Sequence, residues 1–278
     1  NEKFLNIVDC DIYDLFDKSY FLSLIESGSL DLQIDTIFHQ GACSDTMETD
    51  GVYMMKNNYS YSKSVLTYAM RQSIPLIYAS SGAVYGNNKS SDDNESPLNI
   101  YGFSKVMFDR YVRRNWSNFE TTVVGLRYFN VYGPNEEHKG AMASMIHKGY
   151  KALKHTGEIK LFEGTNGFAN GDQRRDFVYV DDVTSINLFF ADNVTTKGIY
   201  DVGTGTSRSF NDMADSLIKI MNYGNIKYVP FPEELRNKYQ SHTEANIEGL
   251  KNVGYNSEFI QLEQGIETYC KNLANNNI

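Results

Sequence analysis

Tyr101-Gly102-Phe103-Ser104-Lys105 places a phenol and an ammonium one helical turn apart on a single face. A free tyrosine titrates near about 10, so it takes a proton from an alcohol at neutral pH only where something nearby stabilises the phenolate. Lys105 is spaced to do that. Upstream, Tyr78-Ala79-Ser80-Ser81-Gly82-Ala83-Val84-Tyr85-Gly86 reads as a buried strand running into hydroxyl- and glycine-bearing turn residues, and its Ser81 is placed to hydrogen-bond the same substrate oxygen. A tyrosine base placed in this way could take the proton from a substrate alcohol. A Tyr-x-x-x-Lys spacing alone recurs by chance in a chain with 20 tyrosines, and the strand ending in Ser80-Ser81 is what makes this one specific.

The elements that must position these groups alternate between strand and helix patterns. Residues 4–12 alternate and end in acidic residues, as a strand leaving a sheet would. Residues 13–26 read as a helix with Lys18 on its exposed side, and residues 34–44 as a buried strand ending in the small residues Gly41 and Ala42, which let a ligand come close. His39 reads as a core or hydrogen-bonded histidine. Residues 50–72 read as one long helix with Asn57 on its packing face; a buried amide needs partners, so Asn57 either bridges strand ends or contacts cofactor. A polar loop at 87–97 has the length of a site cover. The base-bearing helix follows at 101–115, and a strong strand at 121–131. Beyond Pro134 the alternation becomes irregular, with helices expected at 141–154, 210–221 and 261–273 and short strands at 159–162, 199–203 and 226–230.

This is the pattern of an α/β fold: a Rossmann-type doubly wound parallel sheet with a smaller C-terminal α/β substrate lobe. The expected division is a dinucleotide-binding domain over 1–134, with returns near 174–205, and a substrate lobe over 135–173 and 206–278. No glycine-rich strand-to-helix turn precedes residue 4, and Gly203-Thr204-Gly205 lies too far along, so the first βαβ unit is expected to be missing. At 278 residues there is ample core, and a net charge of −9 argues against a general nucleic-acid binder, so an anionic ligand needs a local basic cluster. The widely spaced Cys10, Cys43 and Cys270 suggest neither a disulfide framework nor a metal site and suit a reducing cytoplasm. No apolar run reaches the about 18 residues that would span a membrane.

Ser81, Tyr101 and Lys105, in this order and spacing, resemble the active-site triad of the short-chain dehydrogenase/reductase superfamily. Arg127-Tyr128-Phe129-Asn130-Val131-Tyr132-Gly133-Pro134 resembles the next strand and loop of its extended, nucleotide-sugar-processing branch. The resemblance narrows at Gly133-Pro134-Asn135-Glu136-Glu137-His138-Lys139-Gly140-Ala141-Met142-Ala143-Ser144. With Leu161-Phe162-Glu163-Gly164, Arg175-Asp176-Phe177-Val178-Tyr179-Val180, His39-Gln40-Gly41-Ala42-Cys43-Ser44 and Tyr228-Val229-Pro230-Phe231-Pro232, nearly the whole chain is similar to the ADP-L-glycero-D-manno-heptose 6-epimerase family.

That resemblance implies oxidation at C6″ of ADP-heptose with bound NADP, followed by hydride return to the other face, for lipopolysaccharide inner-core synthesis in a homo-oligomer. It implies Tyr101 and Lys139 as acid/base groups from two sides, Ser81 positioning the oxygen, and Lys105 holding the nicotinamide ribose. It implies cofactor contacts from Lys18, Gln40, Gly41, Ala42, Cys43, Ser44, Asn57, Tyr101, Lys105 and Val131. Substrate contacts are implied for Asn130, Lys139, Phe162, Glu163, Gly164, Thr165, Arg175 and Tyr239. The family commonly has Ser where Ala141 stands and a His near Lys148, and the loop 166–172 is longer than the family pattern. Two other readings compete: a nucleotide-sugar 4-epimerase or 4,6-dehydratase, which shares Ser81, Tyr101 and Lys105 but does not depend on a lysine at 139, and an inactive nucleotide-sugar-binding fragment.

Overall fold

The computed structural model describes residues 2–91, 94–193, 196–236 and 239–275. In chain order its principal elements are α1 (Lys18–Ser27), β1 (Ile37–His39), α2 (Gly51–Met54), α3 (Tyr61–Gln72), β2 (Leu76–Ser81), α4 (Ile100–Arg114), β3 (Val123–Tyr128), β4 (Asn130–Tyr132), α5 (Met145–Thr156), β5 (Glu158–Phe162), β6 (Arg174–Arg175), β7 (Phe177–Tyr179), α6 (Val180–Asp192), β8 (Lys197–Val202), β9 (Arg208–Ser209), α7 (Phe210–Met221), β10 (Asn225–Val229), α8 (Glu248–Asn252) and α9 (Leu262–Asn275). The expected cover loop at 87–97 contains residues 92 and 93, which lie outside the described residues.

β2 and β3 are near-continuous apolar runs because both their faces are covered, the signature of a parallel sheet between helix layers. The sheet is parallel in the order β1-β2-β3-β8. Alternate residues sort to its two faces: Leu76, Tyr78 and Val123 pack with residues of α3 and α4, whereas Ile77, Val124 and Leu126 pack with Val183, Ile186 and Phe190 of α6. Gly125 stands opposite Tyr78 in register, and a Cβ there would lie 2.4 Å from the tyrosine hydroxyl, so only glycine lets that ring cross β3. A second core gathers α5, α7 and α9 over the parallel pair β5 and β10. The short parallel pair of β4 and β7 lies between the two cores, carrying Asn130 opposite Phe177.

Four expectations are corrected. Residues 4–12 form no strand; Glu2–Asn6 is a 3₁₀ turn, because among the described residues β1 pairs only with β2 and no strand lies at its other edge to satisfy a further backbone. The first helix begins at Lys18, where the Asp17 carboxylate caps it by accepting from Ser19 and Tyr20 backbone N–H groups. The long helix is interrupted by a π-helical turn, Met55–Ser60, which spaces the buried residues Met54, Asn58 and Ser62 four apart. Asn58, 2% exposed, therefore takes the inward position expected of Asn57. The fifth helix starts at Met145 because Ala143 and Ser144 are extended, at ψ 153° and 157°, which ends any helix begun at 141, and Ser144 caps the new helix by accepting from His147 N–H at 3.1 Å.

Candidate active site

Tyr101 sits in the first turn of α4, whose amino end is capped by the Asn99 side chain accepting from Gly102 N–H at 2.8 Å. A Cβ at Gly102 would lie 2.7 Å from the Ala83 carbonyl oxygen, so the helix start packs directly on the turn leaving β2. That contact brings the phenol to Ser81, with which it hydrogen-bonds. Burial raises the Tyr101 pKa above its ordinary value, the Ser81 hydrogen bond opposes the rise, and Cys43 adds to it. Lys105 lies one turn on, its Nζ 6.0 Å from the Tyr101 ring centre and donating to the Ala79 carbonyl at 2.8 Å. Burial lowers Lys105 to about 8, against the attraction of Asp109. The expected lowering of Tyr101 by Lys105 is thus corrected: in this geometry desolvation outweighs every stabilising contact on the phenol.

Asn58 ties this helix to the end of β1. Its Oδ1 accepts from Cys43 N–H at 2.8 Å, and its Nδ2 donates to Cys43 O at 2.9 Å and to Ser104 Oγ at 3.0 Å. Asn57 is half-buried and accepts from Lys18 Nζ at 2.6 Å. His39 stacks on Tyr61 and pairs with Ser62 Oγ at 2.7 Å, and burial lowers it to about 4, which suits a hydrogen-bonded structural histidine. Beneath, Asp109 accepts from Tyr78 Oη at 3.0 Å, Ser80 Oγ at 2.9 Å and Arg127 Nε at 2.9 Å, all of them buried.

Across the cavity Lys139 is exposed, on a turn between Glu136 and Ser144. Ser81, Tyr101, Lys105, Asn130, Val131, Gln40, Ala42, Ser44 and Lys139 all line one cavity of about 560 Å³. Lys18, Gln40, Gly41, Ala42, Cys43 and Asn57 line a neighbouring cavity of about 320 Å³, so Gln40 and Ala42 are common to both.

The remaining substrate residues stand apart from Tyr101. Arg175 stacks its guanidinium 4.8 Å from the Tyr239 ring centre, and Phe162 and Phe231 close the cluster at 5.2 Å from each other. Burial lowers the Arg175 pKa, against the attraction of Tyr239. Glu163, Gly164 and Thr165 edge an open depression with residues 167–170. Lys148 donates to the Ala141 carbonyl at 2.6 Å, so the position where the family commonly has Ser is tied to α5.

Sequence reasoning missed Asn58, masked by its neighbour Asn57, and Glu136, whose only local signal was its place three residues before Lys139. It also missed Gln240, His242 and Thr243, which line a further cavity with Gly82 and Phe129, as nothing in their local sequence marks them.

The model of the NAD dependent epimerase/dehydratase family matches residues 6–203. The chain is 46% identical to an ADP-L-glycero-D-manno-heptose-6-epimerase from Thiobacillus denitrificans, over 98% of this chain and 87% of that protein. It is also 46% identical to the like-named protein of Alkalilimnicola ehrlichii, over 98% of this chain and 86% of that one. Among solved structures, the ADP-L-glycero-D-manno-heptose-6-epimerase of Helicobacter pylori superposes with a TM-score of 0.83 at 34% identity, covering 98% of this chain and 82% of that chain.

Proposed function

The chain belongs to the NAD dependent epimerase/dehydratase family, and from that premise we propose that it inverts C6″ of ADP-glycero-manno-heptose. The observation that carries the reading is that Tyr101 and Lys139 line one cavity from different elements, which two-sided proton transfer requires. The relatives at 46% identity carry the heptose epimerase name, so the 4-epimerase or dehydratase alternative is not favoured.

The cofactor is a nicotinamide dinucleotide, and the residues present fit its nicotinamide half. A Cβ added at Gly41 would meet nothing within 4 Å, leaving open room at the end of β1, and Lys105 Nζ has donors to spare beyond its bond to Ala79. Gln40 to Ser44, Asn57, Tyr101, Lys105 and Val131 would hold it. Lys18 at the groove mouth supplies a cation suited to the phosphates, and NADP is our choice by likeness to the heptose epimerases. When bound, the cofactor would accept and return a hydride, and its positive ring would oppose the rise that burial causes in Tyr101.

Ser81 orients the C6″ oxygen, Tyr101 takes its proton in one epimer, and Lys139 serves the opposite face after the ketone turns over. Arg175 and Tyr239 would hold the nucleotide and pyrophosphate, with Phe162, Glu163, Gly164 and Thr165 beside them and Asn130 towards the sugar. With this reading go a substrate lobe over 135–173 and 206–278, a homo-oligomer checkable by light scattering, and a place in lipopolysaccharide inner-core synthesis in the cytoplasm. Among the described residues no helix is long and apolar enough to cross a membrane.

The test is incubation with ADP-D-glycero-D-manno-heptose and NADP, following C6″ configuration by proton NMR. Conversion should fall by about 10³-fold in Tyr101→Phe and about 10²-fold in Lys139→Met. Inversion at C4 instead, or conversion that neither substitution slows, would sink the proposal; tighter binding of NAD than NADP would overturn the cofactor choice.

A further inference from the structure

The turn that carries Lys139 is shut at its neck by one buried carboxylate. Glu136, 3% exposed, accepts from Ser144 N–H at Oε2 (2.7 Å) and from Ser144 Oγ–H at Oε1 (2.6 Å), joining the two ends of the turn. Oε1 also accepts from the Tyr269 hydroxyl of α9 at 3.0 Å. A carboxylate only accepts, so Tyr269 spends its proton there and receives the His147 Nδ1 contact at 2.8 Å through its oxygen. At the crown, Lys139 N–H donates to the Glu136 carbonyl at 3.0 Å, and Gly140 then reverses the chain at φ 53°, ψ −119°. The turn has other ties, Glu137 to His147 Nε2 at 2.8 Å and to Lys151, His138 to Asn6 at 2.9 Å and the Ala141 carbonyl to Lys148 at 2.6 Å, but Glu136 joins its two ends directly and itself lines the same cavity as Tyr101.

We infer that Glu136 is the positioning residue for Lys139: a carboxylate clasp, braced by Ser144 and Tyr269, that holds the turn so that the ammonium faces Tyr101 across the substrate. The inference rests on the epimerase reading for its catalytic consequence, and on the hydrogen bonds alone for its structural one. Glu136 makes no contact with the reacting oxygen in this account. Its removal loosens Lys139 and leaves Tyr101, Ser81 and Lys105 where they are.

Two variants test it in the full chain loaded with NADP: Glu136→Gln, which loses one acceptor oxygen, and Tyr269→Phe, which removes only the outer brace. The first readout needs no substrate. Hydrogen exchange at residues 137–142, followed by mass spectrometry, should quicken about tenfold in Glu136→Gln and less in Tyr269→Phe, with α4 unchanged. The second readout is transient cofactor reduction, by absorbance, starting from each C6″ epimer separately. It should slow about 10²-fold from the epimer whose hydroxyl faces Lys139 and stay within about twofold from the epimer facing Tyr101. Adding Glu136→Gln to Lys139→Met should cost nothing further, since both act through one amine.

Equal slowing from both epimers, or additive loss in the double variant, overturns the positioning role in favour of a general structural one. Unchanged exchange in both variants overturns the clasp whatever the substrate. A wild-type chain that inverts no heptose, while both variants loosen the turn, upholds the clasp and sinks the functional reading instead.

Discussion

The two sides of the cavity hold their proton-transfer groups by opposite means. Tyr101 stands on a helix whose next turns are buried: Lys105 at 6% exposure, and Asp109 at 0% tied to Arg127, Tyr78 and Ser80. Lys139 stands on an exposed turn closed by the Glu136 carboxylate. The difference follows from what each group must do. Tyr101 has to meet Ser81 inside a closed site, which a buried helix start packed on the turn after β2 provides; Lys139 has to reach the substrate from the opposite side, which an exposed turn allows. Side chains on the sheet side should therefore couple to global stability, and those on the turn side to local order.

The largest test of that contrast is Asp109→Asn. It strips Arg127 of a buried partner and leaves Tyr78 and Ser80 sharing a neutral amide. Breaking one side of a buried ion pair costs about 3–5 kcal/mol, so the melting temperature should fall by about 10 °C. Because Asp109 opposes the lowering of Lys105, the variant should also titrate Lys105 below about 8. A calorimetric scan matching wild type would mean that the network under Tyr101 is no firmer than the Lys139 turn.

A smaller effect is the pH dependence that Lys105 writes into stability. Burial brings it from 10.5 to about 8 in the folded chain. Between those values the unfolded chain binds a proton that the folded chain has released, so this group's contribution to stability rises with pH. Below about 8 both states are protonated and the cost of burying the ammonium stands in full. The gain across the window is at most about 3 kcal/mol. Urea unfolding of wild type and Lys105→Met, compared from about pH 7.5 to about pH 10.5, should show wild type gaining on the variant. A gap that stays flat would place Lys105 in water and undo the contrast between the buried Tyr101 side and the exposed Lys139 turn.

The same contrast explains which parts were legible in the sequence. Ser81, Tyr101 and Lys105 were readable because their relation is local: a strand end, a turn and one helical turn. β2 and β3 were readable because burial on both faces leaves continuous apolar runs. Lys139 was found through resemblance, since nothing in its own neighbourhood says what the turn faces. The clasp that shuts that turn joins Glu136 to Tyr269, 133 residues away along the chain, a pairing no local pattern encodes. Asn58 was hidden by a π turn that only tertiary packing selects, and the strand expected at 4–12 has no described neighbour on which to pair.

The smallest expected effect on stability is the most informative about the turn. Gly140 has φ 53° and ψ −119°, a conformation that side-chain-bearing residues rarely adopt, yet a Cβ there would meet nothing within 4 Å. Gly140→Ala therefore pays only in backbone strain, which a rigid site would feel as about 1–3 kcal/mol. An exposed turn has the option of relaxing, so the global loss should stay near about 1 kcal/mol in urea unfolding. Relaxation moves the residue immediately before it, and that residue is Lys139. Turnover should then drop by more than the stability change accounts for, with KM little altered, because the amine is displaced from substrate while Tyr101 and the cofactor groove are untouched. A loss of stability at the upper end of the range with turnover intact would reverse the assignment: the turn would be rigid in its own right, and the Glu136 carboxylate would not be the tie that decides where Lys139 sits.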